Sequence, residues 1–248
     1  MTKIYANISI DHQQRYNVLE QRIVAAAQCN ADAIVLTKSN PIRVIPEEKK
    51  YLPVESRWGT IPYIDYARKS EVSSELAMSI SKLCNHIGIT LIWCVTDIES
   101  ASFIKEHCET ETIKIHSKVV DMSDVSQFCF ENFSHVIYPK EMSTIVESWY
   151  NFKTRMNFSI CYTPNSTRLE DLKLNSIDKL KQKHLNVGYE SQHSGIFPCV
   201  ATAFKDVSFI EKYLGDSDSN NDTVLTPEVF YELFRNLDIL GVANGQQD

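Results

Sequence analysis

Lys114 carries the most chemical potential in this chain, set in Ile113-Lys114-Ile115. Its apolar neighbours mark a strand and direct the lysine toward an interior, where a buried ammonium must meet an anion. The phosphate or carboxylate of a ligand would serve, as would a protein carboxylate such as Glu211. A Schiff base with a carbonyl substrate is a third chemistry open to such a lysine.

Glu190 and His193 stand three apart, a spacing that could offer two ligands to a divalent ion, although an exposed loop histidine usually does nothing. A second constellation lies in a long segment, 38–73, which holds Arg57, Trp58 and Gly59, then Tyr63, Tyr66 and Arg68. Aromatic and guanidinium groups together suit a polar ligand such as a sugar, and they equally suit packing of a loop onto a rim. The acidic run from Gly215 to Asp222 resembles the start of a calcium loop. It lacks the glycine needed at the sixth position, and Glu228 falls one place too late, so a solvated acidic loop is the better description. The chain contains no GxSxG elbow, no phosphate-cradling glycine loop and no HxxxH pair.

The elements that must position these residues follow a regular rhythm. Short β-branched or aromatic runs alternate with longer amphipathic ones, the pattern of parallel βα units. Strands are predicted at 4–9, 33–37, 90–95, 112–116, 135–138, 157–162, 185–189 and 207–211. The helices that follow them are predicted at 18–28, 74–86, 98–107, 122–133, 142–152, 169–183, 196–204 and 226–240. Eight such units close an α/β (βα)8 TIM barrel, a single domain over 1–240 with a disordered tail at 241–248. An open doubly wound sheet is the rival, but Ser9 to Gln14 has no glycine turn for a phosphate. In a barrel the chemistry sits where strands end, so the loops after the eight strands are where function is expected.

The net charge of −7 argues against nucleic acid, whose backbone is bound by clustered cations absent here. Seven cysteines form an odd set without a CxxC pair and are expected to be reduced core residues. Only Met1, Thr2 and Lys3 precede the first strand, and no apolar run approaches a membrane span, so a cytoplasmic protein is expected.

Across its strand ends the chain resembles the sialic acid (N-acetylneuraminate) synthase family, barrel enzymes that condense phosphoenolpyruvate with an N-acyl aldose. Ala6 to His12 stand where that family has AEIGxNH, and Ala31 to Thr37 where it has ADAVKFQ. Arg57-Trp58-Gly59 and Tyr66 follow its tryptophan-glycine loop, and Thr96 to Ser100 its xDxES turn. Ile113-Lys114-Ile115-His116-Ser117 is similar to YKIxSGD, Val187 to Gln192 to VGYSDH, and Ile210 to Tyr213 to IEKH. Leu225-Thr226-Pro227-Glu228 opens the final helix as in that family.

The resemblance implies roles as well as losses. Lys114, Ser117 and Thr163 correspond to the side that holds the phosphoenolpyruvate anion, and Arg57, Trp58 and Tyr66 to the sugar-side loop. The two histidines that bind the family's divalent metal (manganese or magnesium) are here Gln192 and Tyr213, neither a good ligand. No metal is therefore expected unless His193 and Glu190 substitute. The family's anion-contacting lysine is Val35, its acidic residue is Asn7, and the threonine of its STPFD motif is Cys94. The chain ends soon after its eighth helix, so the family's C-terminal antifreeze-like domain is expected to be absent.

Three functions stay open on this footing. One is a barrel of carbohydrate (nonulosonic acid) biosynthesis degenerate for the metal-dependent condensation, binding a small sugar or carboxylate ligand. Another is an active divergent synthase using phosphoenolpyruvate and a divalent metal. The last is a non-catalytic partner, pairing as a homodimer or with an active synthase to regulate it.

Overall fold

The computed structural model describes residues 2–8, 12, 14–56, 58–119, 123–140, 157–164, 166–184, 186–216 and 223–243. Strand β1 (Lys3–Ile8) leads through α1 (Tyr16–Gln28) to β2 (Ala33–Lys38). The long segment that follows is not a bare loop. It folds into α2 (Pro41–Val44), α3 (Glu47–Lys50), an antiparallel hairpin of β3 (Pro53–Ser56) and β4 (Gly59–Pro62), and α4 (Tyr63–Ser70). The chain then resumes its alternation with α5 (Ser74–Ile87), β5 (Thr90–Val95), α6 (Ile98–His107), β6 (Thr112–Ile115), α7 (Ser123–Asn132) and β7 (His135–Lys140). Strand β8 (Asn157–Tyr162), α8 (Asn175–Lys181), β9 (Val187–Ser191), α9 (Phe197–Ala203) and β10 (Phe209–Leu214) follow. A short β11 (Val224–Leu225) and α10 (Pro227–Ala243) end the described chain.

The barrel strands run in the order β1-β2-β5-β6-β7-β8-β9-β10, and β1 pairs in parallel with β10 from Lys3↔Phe209 to Ile8↔Leu214. That last pairing separates a barrel from an open sheet, which would leave both strands as edges. Seven of the eight expected helices fall where predicted to within a few residues at most ends. The exception in length is α8, whose expected first turns are a 3-10 turn at Leu169–Asp171 and a connection. The helix expected at 142–152 lies outside the described residues. The final helix runs to Ala243, so 241–243 continue the helix where a tail was expected.

Helix boundaries have local causes. Ser73 accepts a hydrogen bond from Leu76 N at the start of α5, and Gly88 takes φ +83° at its end, a left-handed conformation that suits glycine. Asp97 caps α6 by accepting from Ser100 N at 2.8 Å. The same carboxylate accepts from Asn40 N at 2.7 Å, which joins the start of the long segment to the loop after β5.

Alternation along the strands divides the core in two. Ile34, Leu36, Trp93, Ile113, Val136, Tyr162, Tyr189 and Ile210 face outward and pack with the helices. Ala33, Val35, Ile92, Cys94, Ile137, Cys161 and Phe209 fill the barrel interior, with Tyr5 stacked on Phe209 at 4.7 Å between ring centroids. All seven cysteines are buried and free, as the sequence leads one to expect of core residues. Among the described residues no helix is long and apolar enough to cross a membrane.

Candidate functional site

Above the apolar plug of the barrel lies a layer of charge. Lys114 projects from β6, Glu211 from β10 and Glu190 from β9, each inward by the same alternation that turns Ile113, Ile210 and Tyr189 outward. Lys114 Nζ donates to Glu190 Oε2 at 2.8 Å and lies 2.7 Å from both oxygens of Glu211. The three side chains are 2%, 6% and 0% exposed, so this is a buried ion cluster and not a surface pair. Withdrawing these charges from water is costly, and what offsets that cost is the completeness of their mutual bonding.

Neutral donors complete the bonding of the two carboxylates. Asn7 Nδ2 donates to Glu211 Oε1 at 2.7 Å, and Thr163 Oγ1 donates to Glu190 Oε2 at 3.2 Å. Tyr213 OH and Gln192 Nε2 donate to Glu190 Oε1 at 3.2 and 3.4 Å. The site is thus a lysine clasped by two carboxylates, with an amide, two hydroxyls and a second amide arranged around them.

Electrostatics follow from burial and this one cation. Burial alone would discharge Lys114, but Glu190 and Glu211 reverse the effect and hold its pKa well above the usual range. Burial raises Glu190 as well, yet Lys114 outweighs it and the carboxyl ends below its ordinary value. Glu211 ends above its ordinary value, because its complete burial and the nearby Glu190 exceed the pull of Lys114. Burial also pulls His116 down to about 4, so the imidazole beyond Lys114 is neutral near pH 7. Burial and Glu190 together push the Tyr213 phenol well up, and it remains a donor.

The expected site residues are only partly brought together. Lys114, Thr163, Glu190, Gln192 and Tyr213 converge, and Glu211 takes the place of a ligand anion as one of the partners proposed for Lys114. Ser117 lies one turn on, in a 3-10 turn at Ser117–Val119. His193 does not join them. Its Nδ1 is 2.9 Å from the hydroxyl of Tyr189, which points to the outward side of β9, while Lys212 Nζ bonds the His193 carbonyl.

Trp58 and Tyr66 do meet, at 6.1 Å between ring centroids and nearly edge to face. Lys69 lies over the Trp58 ring at 5.5 Å, and Tyr63 stacks on Tyr66 at 6.4 Å. These contacts pack the segment against itself, and Gln14 Nε2 donating to Arg68 O at 2.5 Å ties it to the loop after β1. Arg57 lies outside the described residues.

Two participants escaped sequence reasoning. Cys161 Sγ, a Glu190 oxygen and a Glu211 oxygen lie within 4.8 Å of one another, the set among the described residues that could hold a metal ion. Asn7 is the other, counted as a lost acid when it acts as the donor that orients Glu211. The available signal for Cys161 was its period-two relation to Ser159 and Thr163, which puts it on the inward face of β8.

A divalent metal fits the arrangement poorly. At the two positions where the resembled family has histidines, Gln192 and Tyr213 spend their polar atoms on Glu190. The carboxylates that could replace those histidines are already engaged by Lys114.

Comparison with known proteins bears on the fold and the family. The model of the NeuB family matches residues 22–247. The N-acetylneuraminic acid (sialic acid) synthetase of Leptospira borgpetersenii superposes with a TM-score of 0.87 at 18% identity, covering 98% of this chain and 85% of that one. A putative spore coat polysaccharide biosynthesis protein E from Chromobacterium violaceum gives 0.84 at 15% identity, with 100% and 76% covered. A truncated 3-deoxy-D-arabino-heptulosonate 7-phosphate synthase from Thermotoga maritima gives 0.72 at 12% identity, with 98% and 88% covered. No curated protein matches the chain by sequence.

Proposed function

The chain belongs to the NeuB family, and from that premise we propose that it is a sialic-acid-synthase-like barrel of carbohydrate biosynthesis that no longer performs metal-dependent condensation of phosphoenolpyruvate. The observation that carries this reading is the closure of Lys114 on Glu190 and Glu211. A lysine that is to hold a phosphate needs its charge available, and here two carboxylates already face it. An entering phosphoenolpyruvate would bring its negative charges to those same carboxylates in a low-dielectric interior, where like charges repel strongly. Val35 reinforces the point, since the interior position where the resembled family has a lysine is apolar and fully buried.

The metal half of the reaction is equally unsupported, because Gln192 and Tyr213 stand where the resembled family has its metal-binding histidines, and His193 is engaged on the other face of β9. Lewis-acid polarisation contributes several kcal/mol in such reactions, and no described side chain supplies a replacement. What remains is a polar, hydrogen-bonded barrel mouth suited to a neutral or weakly charged ligand.

Calorimetric titration with manganese, then with phosphoenolpyruvate in its presence and absence, tests the reading. We expect no saturable binding of either at millimolar concentrations. Saturable binding of both, with metal dependence abolished by His193→Ala, would instead establish an active, divergent synthase.

A further inference from the structure

The trio of Cys161, Glu190 and Glu211 has the makings of a cation site one layer inside the barrel. A thiolate and two carboxylates suit a divalent ion such as zinc, cobalt or cadmium. Donors around a tetrahedral ion stand about 3.3–3.8 Å apart, about 1.6 times a metal–ligand bond, and the three ligand atoms, all within 4.8 Å of one another, need only a modest approach to reach that spacing. The carboxylates are also oriented independently of Lys114. Asn7 holds Glu211 and Thr163 holds Glu190, as outer hydrogen bonds hold the ligands of metal sites. The space those oxygens face is filled by one atom, Lys114 Nζ.

We propose that Lys114 is a tethered cation, its ammonium occupying a divalent-cation position formed by Cys161, Glu190 and Glu211 and so excluding metal from the barrel. This rests on the reading that the intact protein takes no metal there. The lysine supplies one positive charge where an ion would supply two, on a stem anchored in β6 that cannot dissociate. Shortening that stem should vacate the position and leave two buried carboxylates and a thiol with no counter-charge, a strong thermodynamic pull on any divalent ion that fits.

The experiment compares Lys114→Ala with the intact protein, both stripped of metal and titrated with cobalt(II), which reports a thiolate ligand by a sulfur-to-metal charge-transfer band. Lys114→Ala should bind saturably with that band, and its thermal midpoint should rise by about 5–10 °C at cobalt about a hundredfold above Kd. Adding Cys161→Ser should remove the band while weaker binding persists. The intact protein should show neither band nor shift. A folded Lys114→Ala that binds no cobalt overturns the proposal and leaves the functional reading untouched. A band in the intact protein overturns both. Should Lys114→Ala be isolated unfolded, refolding with and without zinc decides: recovery of the native fold with zinc alone supports the tethered cation, and equal failure in both overturns it.

Discussion

Lys114 Nζ sits 2.7 Å from both oxygens of Glu211, although β6 and β10 stand on opposite sides of the barrel. The pair therefore spans the lumen and links two halves of the closed sheet through a single buried contact.

Removing one partner should be costly. Lys114→Met keeps the volume but leaves Glu190 and Glu211 buried with no cation, which should lower stability by about 3–5 kcal/mol in urea denaturation. Adding Glu211→Gln should recover part of that loss, with a coupling of about 1–3 kcal/mol in the double-mutant cycle. Strictly additive losses would mean that the two side chains do not act as a pair.

Acid should destabilise the protein through His116. Its pKa falls from 6.5 to about 4 on folding because it is buried, so the unfolded chain binds a proton that the folded chain refuses. Stability should therefore decline as pH drops from about 6.5 to about 4, and His116→Gln should flatten that part of the profile. Glu190, held below its ordinary value, adds a loss at more acid pH, while Glu211, held above, offsets part of it. Denaturation midpoints across this range for the two proteins check the sign; an unchanged slope in His116→Gln would assign the effect elsewhere.

Gly188 is required for packing. A Cβ there would lie 2.2 Å from Cζ of Phe209, the ring on which Tyr5 stacks. Gly188→Ala should cost about 1–3 kcal/mol, typical of an overfilled core, and Phe209→Leu in the same chain should relieve much of it. Thermal melting of the two variants measures both effects.

The seven thiols should be silent in the native state. All are buried, and burial pushes Cys84, Cys94 and Cys129 up to about 12, which suppresses the reactive thiolate. A chromogenic disulfide reagent should report almost no fast reaction at neutral pH and seven equivalents after denaturation. Rapid native labelling at Cys94 or Cys161 would show that the barrel interior opens.

The sequence by itself determined the order and type of the barrel strands, because the alternation of β-branched runs with amphipathic ones is a local property of neighbouring residues. It also determined that Lys114 needs an anion and that Glu211 could be that anion, since a lysine among isoleucines has few other ways to be buried. The tertiary structure decided the rest. Closure depends on β1 meeting β10, about two hundred residues away along the chain, and no local pattern encodes that pairing. The register across the barrel set Glu190 as the second partner of Lys114 and put Cys161 beside both. Side-chain direction at one strand end turned His193 toward Tyr189 on the outer face of β9, although three residues of spacing from Glu190 suggested a shared ion. Spacing along a chain places two residues within reach of each other; only the direction each strand gives its side chains determines whether they meet.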